Sequence, residues 1–323
     1  MSRSLVVVAH SVDPLVRETY KQELSGLAEI CFIADCIPQD RSAILHEAQV
    51  LATFSPEREL TESELQASGA RFVQCLAAGR DRFRFEHFAG CVVAFNPGAA
   101  ADPIAEHAVA MVLAAAKNLL LRHRQLESGE FNQSKINTRL RGGTAAIVGF
   151  GAIGSKVALL LQAFGMTIRA VNRSGETSQH VAMCVTLDQL DVALHQADVL
   201  VIAAELNAQT ENAIGEAQLR LLKEDGILVN VSRAALVQQA ALYAHLREHP
   251  GFRACLDVWW VEPMHAGEFK LEYPFMELPN VIGSPHNSPM VPGIFADLSR
   301  AAARNIARFL RGQTPLHVAS RAR

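Results

Sequence analysis

Short apolar runs rich in β-branched residues alternate with segments of helical spacing through the first hundred residues. Leu5–Ala9, Ile30–Ile33, Val50–Phe54, Phe72–Leu76 and Cys91–Phe95 predict strands, and Pro14–Leu24 and Glu62–Ala67 predict helices. Alternation of this kind predicts a parallel sheet covered by helices. Asn96-Pro97-Gly98 breaks the pattern. Asp102 then suits an N-cap with Pro103 at the first helical position, opening a long Ala-rich helix to about Leu126. The stretch Glu127–Gly143 is polar, lacks strong periodicity and reads as an extended arm or loop.

A second alternating series begins at Thr144. Its predicted strands are Ala145–Gly149, Thr167–Val171, Val199–Ala203, Ile227–Val231, Arg253–Asp257 and Val281–Gly283. Helices are expected between them, including Ile153–Phe164 and Gln238–His249, and a last one over Val291–Arg311. No repeat or low-complexity segment interrupts the pattern. Two α/β domains account for it most simply: residues 1–100 with 289–323, and residues 101–288. A chain of 323 residues is long enough for both.

Bulk properties narrow the function by exclusion. A net charge of −3 creates no field that would recommend nucleic acid or an acidic membrane as partner. Five apolar residues at Leu5–Ala9 are too few for a signal-peptide core. Ile104–Leu121 contains Glu106, His107, Lys117 and Asn118 and reads as a core helix rather than a membrane span. The cysteines at 31, 36, 75, 91, 184 and 255 form no CxxC pair, so we expect reduced thiols in a cytoplasmic protein and no metal site.

The chemistry begins at Gly149-Phe150-Gly151-Ala152-Ile153-Gly154, which follows a predicted strand and opens a predicted helix. That context makes it a dinucleotide site. The first glycine permits the tight turn, the second lets backbone approach a pyrophosphate, and the third lets helix pack on strand. The helix N-terminus then faces the phosphates.

Three further strands end in polar words: Asn230-Val231-Ser232-Arg233, Asp257-Val258-Trp259-Trp260-Val261-Glu262-Pro263 and Ser284-Pro285-His286-Asn287. Ligands of parallel α/β sheets bind outside the carboxyl ends of the strands, which is where Arg233, Glu262 and His286 would converge. A histidine can protonate a carbonyl oxygen as hydride reaches its carbon. A neighbouring carboxylate stabilises the imidazolium, and a guanidinium grips a carboxylate with two prongs. Singly, Arg233 also reads as a surface ion-pair partner, Glu262 as loop and His286 as an ordinary loop histidine. Their order behind a nucleotide turn favours the catalytic reading.

These words resemble those of the D-isomer-specific 2-hydroxyacid dehydrogenases. The similarity runs through Gly149–Gly154, Phe164-Gly165-Met166, Gln209-Thr210-Glu211-Asn212, Asn230–Arg233, Asp257–Pro263 and Ser284–His286, with Asn96-Pro97-Gly98 and Ala105-Glu106-His107 upstream. It extends over nearly the whole chain and is weakest before Phe72. The expected fold class is α/β, a Rossmann-type doubly wound parallel-sheet nucleotide domain plus a smaller flavodoxin-like substrate domain.

The resemblance implies that Arg233 binds the substrate carboxylate and carbonyl, Glu262 tunes the histidine and His286 is the general acid/base. It further implies that backbone N–H groups around Ala78 and Gly79 hold the substrate carboxylate, with cleft closure bringing Gly79 towards Arg233. Asp257 would contact the nicotinamide carboxamide, although a loop-entry cap is an equal reading, and Val231 and Ser232 would line the cofactor. A homodimer through the nucleotide domain, with Glu127–Gly143 as an arm, is also implied. A corepressor-type NAD(P)(H)-sensing protein without turnover is the rival from another class. Formate oxidation is a second enzymatic rival, but it normally pairs the histidine with Gln rather than a carboxylate.

One word departs from the NAD pattern. The strand Thr167–Val171 ends in Asn172-Arg173-Ser174, where NAD enzymes usually offer an acid to the ribose. A carboxylate there would repel a 2′-phosphate by ~4 kcal/mol per charge pair at close range. We therefore expect NADP in preference to NAD. Trp259 and Trp260 are expected either to wall the substrate pocket or to pack in the core. Glyoxylate, hydroxypyruvate, 3-phosphoglycerate and larger 2-oxo acids all remain open as substrates.

Overall fold

A computed structural model describes residues 4–319. The chain forms two compact units, Met1–Ala100 with Val291–Arg323, and Ala101–Met290.

In the first unit the strands are β1 (Ser4–Val8), β2 (Ala28–Phe32), β3 (Val50–Thr53), β4 (Phe72–Cys75) and β5 (Val92–Ala94). All pair in parallel in the order β2-β1-β3-β4-β5, the flavodoxin-like arrangement. Their near-continuous apolar runs follow from burial on both faces. Val6, Val8 and Phe72 face one layer with Tyr20 and Ile306, while Val7, Leu51 and Val73 face the other with Leu45 and Phe88. The helix Pro14–Glu23 starts where Asp13 accepts a bond from the Val16 N–H. The last helix, Ile294–Leu310, returns to this unit, and Phe309 stacks on Phe72 with ring centroids 4.7 Å apart.

The second unit holds β6 (Thr144–Val148), β7 (Thr167–Val171), β8 (Met183–Val185), β9 (Val199–Ile202), β10 (Ile227–Asn230), β11 (Arg253–Leu256) and β12 (Val281–Gly283). They form one parallel sheet in the order β12-β11-β10-β9-β6-β7-β8. This is the doubly wound Rossmann-type order with an added edge strand. The strand order reverses between β6 and β9, and open parallel sheets bind ligands outside the carboxyl ends of the strands at such a switch point. Ala105, Ala108, Val112 and Ala115 of the helix Ala101–Ala116 pack in one buried layer with Val157, Ala158 and Leu161 of the helix Ala152–Ala163.

The expected long helix from 102 to 126 is a correction. It breaks into Ala101–Ala116 and Leu119–Glu127, bent by 55°. Asn118 takes a left-handed φ of 49° at the break, a conformation asparagine tolerates better than most residues. Asp102 lies within the first turn, not at the N-cap, and its carboxylate bonds Lys156. The helix Pro38–Glu47 and strand β8 were not expected. Both are short and weakly patterned, so tertiary packing decides them. Among the described residues no single helix is long and apolar enough to cross a membrane.

Candidate active site

The glycine turn sits at the carboxyl end of β6, where the strand order reverses. Gly149 has φ +95°, and a Cβ on it would stand 2.2 Å from the Ala204 nitrogen and 2.4 Å from the Ala203 carbonyl carbon. A Cβ on Gly154 would stand 2.1 Å from the Gly149 oxygen, so only glycine lets helix Ala152–Ala163 pack this close to the turn. Gly151 is different. A Cβ there would meet nothing within 4 Å, and no side chain caps the helix that begins at Ala152 and Ile153. Open space before an uncapped helix N-terminus fits a dinucleotide pyrophosphate. It is a cradle that any side chain at 151 would fill.

At the end of β7, Asn172 organises the turn that follows. Its Oδ1 accepts from the N–H groups of Ser174 at 3.1 Å and Gly175 at 2.7 Å, and its Nδ2 donates to the Glu176 carbonyl. Arg173 and Ser174 are exposed on that turn.

The ends of β10, β11 and β12 lie on the same side of the sheet as the glycine turn. After β10, Asn230 is 1% exposed; it donates to the Arg233 carbonyl and accepts from the Ser232 N–H. Val231 is buried, and the Ser232 hydroxyl donates to the Ala204 carbonyl beside the glycine turn. Arg233 is half-buried and its Nη1 donates to the Ser232 carbonyl.

After β11, the Trp259 N–H donates to Glu262 Oε1 at 2.9 Å. The other carboxylate oxygen, Oε2, takes His286 Nδ1 from the loop after β12, also at 2.9 Å. Burial pushes the Glu262 carboxyl up. The bonds from His286 and the Trp259 N–H, with the positive charge of His286 and His265, outweigh that and hold it below the usual carboxylate range. His286 carries a left-handed φ of 52°. Such a conformation costs a residue other than glycine about 1–3 kcal/mol and persists only where its surroundings enforce it.

Asp257 is fully buried. Oδ1 accepts from the Ser284 hydroxyl at 2.5 Å and the Asn287 N–H at 3.1 Å, and Oδ2 accepts from the Ser288 N–H at 3.2 Å. Ser284 also meets His107 Nε2 at 3.0 Å. Sequence reasoning gave Ser284 and His107 no roles, because neither stands in a local pattern that announces a contact. Both tryptophans pack in the unit's core. Trp259 is 6% exposed, and Trp260 stacks on Phe275 at 5.4 Å. In the first unit Ala78 and Gly79 lie in the loop after β4, Ala78 exposed and Gly79 half-buried. Among the described residues no group of three or more His, Cys, Asp or Glu side chains is gathered as a metal site.

Residues 109–288 match the family profile described as D-isomer specific 2-hydroxyacid dehydrogenase, NAD binding domain. A glyoxylate reductase of Aeropyrum pernix is 31% identical over 285 residues, covering 85% of this chain and 84% of its own. A D-3-phosphoglycerate dehydrogenase of Methanocaldococcus jannaschii is 27% identical over 93% of this chain and 57% of its own length. Among solved structures, a glycerate dehydrogenase related protein of Thermoplasma acidophilum superposes with a TM-score of 0.65 at 28% identity, covering 94% of this chain and 99% of that one. The profile spans more than half of the sequence and agrees with the glycine turn and the strand-end residues; the chain belongs to the D-isomer specific 2-hydroxyacid dehydrogenases.

Proposed function

We propose that this protein is an oxidoreductase that reversibly transfers hydride between NAD(P)H and a 2-oxo acid, yielding the D-2-hydroxy acid. The observation that carries the reading is the 2.9 Å His286–Glu262 pair at the carboxyl end of the sheet that bears the glycine turn. The nicotinamide, when bound, supplies or accepts the hydride. The chain's own groups hold the substrate and move the proton. With Nδ1–H donated to Glu262, Nε2 of His286 is the nitrogen left to deliver a proton to the carbonyl oxygen. The Glu262 carboxylate stabilises the imidazolium that precedes delivery. Arg233 is assigned the substrate carboxylate and carbonyl, and backbone N–H groups at Ala78 and Gly79 are assigned the carboxylate.

Gly149, Gly151, Ala152, Ile153 and Gly154 are assigned the pyrophosphate, and Val231, Ser232 and Asp257 the rest of the cofactor site. Asn172, Arg173 and Ser174 favour NADP over NAD. They place an amide, a hydroxyl and an exposed guanidinium where a carboxylate would repel the 2′-phosphate. Assays with a graded panel of 2-oxo acids, glyoxylate and hydroxypyruvate among them, test both points. Turnover is expected with kcat/KM higher for NADPH than for NADH. A preference for NADH refutes the cofactor assignment, and nucleotide binding with no turnover refutes the enzymatic one.

Two coarser properties complete the proposal. The six cysteines are free thiols, which supports a reducing, cytoplasmic setting. Leu119, Leu120 and Leu126 are exposed on the nucleotide unit, with Phe131 75% and Ile136 91% exposed on the segment that follows. Apolar exposure on this scale supports a homodimer through that unit. Light scattering is expected to give twice the chain mass, and a monomer at micromolar concentration would overturn it.

A further inference from the structure

Ser284 stands two residues before His286 and is held on every side. Its N–H donates to the Leu256 carbonyl at 2.9 Å, continuing the β11–β12 pairing by one residue. Its carbonyl accepts from Trp259 Nε1 at 2.9 Å. Its hydroxyl donates to Asp257, so the same oxygen takes the Nε2–H of His107 at 3.0 Å. Asp257 in turn accepts the N–H groups of Asn287 and Ser288, the two residues that follow His286. The loop is therefore fixed immediately before and after the histidine.

Trp259 joins the two halves of the pair. Its ring lies against β12, where a Cβ on Gly283 would stand 2.7 Å from Cζ2, and its backbone N–H holds Glu262. A buried carboxylate with three donors is well satisfied and therefore rigid. That rigidity accounts for a histidine held at φ 52° although exposed on its loop.

We propose that Ser284, supported by Asp257 and His107 and strutted by Trp259, is a positioning residue that sets the orientation of His286 towards Glu262 and the substrate. The inference rests on the functional reading above. It assigns Asp257, Ser284 and His107 to a continuous chain whose product is geometry, not a direct contact with the reacting atoms. Such a chain matters because misplacing a catalytic group by about 1 Å can cost on the order of 10²-fold in rate.

The test compares Ser284→Ala with Ser284→Thr in the full chain. Ser284→Ala is expected to lower kcat by about tenfold or more, to leave the KM for NADPH within about twofold, and to move the acid–base limb of the pH profile. Ser284→Thr keeps the hydroxyl and is expected to restore both kcat and the profile. His107→Leu should behave like Ser284→Ala, and His107→Gln, which keeps an N–H donor, like Ser284→Thr. Equal losses in Ser284→Ala and Ser284→Thr overturn the proposal. So does a raised KM for NADPH with kcat unchanged, which would place Ser284 and His107 themselves in cofactor binding. An ¹⁵N NMR titration of the His286 imidazole in the wild type and Ser284→Ala needs no turnover. If the wild type reduces no 2-oxo acid, the functional reading fails, and an altered titration in Ser284→Ala still supports the positioning role while an unaltered one sinks it.

Discussion

Replacing His286 with alanine is expected to lower kcat by roughly 10²–10⁴-fold, the usual contribution of a positioned general acid/base. The dissociation constant for NADPH should stay near the wild-type value, because the glycine turn and the ends of β6, β7 and β10 are unaltered. The loss falls on kcat because the imidazole is engaged in proton transfer and not in holding the ground state. Folding should survive, since His286 is exposed on its loop and the buried bonds of that loop run through Asp257 and Ser284.

Glu262→Gln separates charge from shape. The amide can still take the Trp259 N–H and face Nδ1 of His286, but it no longer stabilises an imidazolium. The acid–base limb of the pH profile is therefore expected to move to lower pH. The wild-type carboxyl, held below the usual carboxylate range, should keep its charge at every pH above that range. Near-wild-type turnover in His286→Ala removes the histidine from the mechanism, and an unmoved profile in Glu262→Gln removes the carboxylate.

Gly149→Ala is expected to be as damaging to the fold as His286→Ala is to the reaction. All the nearest atoms a Cβ would meet are backbone, the nearest at 2.2 Å, so no flexible side chain can yield. Overpacking costs roughly 1–3 kcal/mol, and a left-handed backbone costs an L-residue about 1–2 kcal/mol more. For a unit of this size a melting point lowered by on the order of 10 °C follows. Nucleotide binding should weaken with it, because the turn moves where β6 meets β9. Gly151→Ala is the control. Its Cβ meets nothing, so the melting point should hold while NADPH binding falls. Equal melting points for Gly149→Ala and the wild type would refute the close approach.

The two alternating series were legible because period-2 and period-3.6 patterns report which side chains are buried. Strand ends were read less well. Ala203, Val231 and Asp257 were each assigned to a strand that stops one residue earlier. Val231 is 5% exposed and Asp257 fully buried, so both continue the buried pattern after leaving the ladder. Hydrophobic patterning measures burial and is blind to pairing.

The break at Asn118 escaped for a related reason. Helical spacing runs on through it, and only a left-handed backbone marks it. The candidate acid–base pair was suggested by residue type and order, although its members stand 24 positions apart. The bonds that hold it were not, since His107 and Ser284 lie 177 positions apart and share no local signal. Chemistry is carried by residue identity, whereas the scaffolding around it is carried by the closed fold.

The return of helix Ile294–Leu310 to the first unit has a consequence for synthesis on the ribosome. The layer of β1 and β4 that holds Val6, Val8 and Phe72 receives Ile306 and Phe309 only from this last helix. Residues 101–290 must be translated in between, which at typical elongation rates takes roughly 10–40 s. The middle of the polypeptide is thus able to finish folding before its beginning does. For that interval helix Pro14–Glu23 covers only part of that face of the nascent amino-terminal sheet, the greasy remainder stays open to water, and chaperone demand should concentrate there.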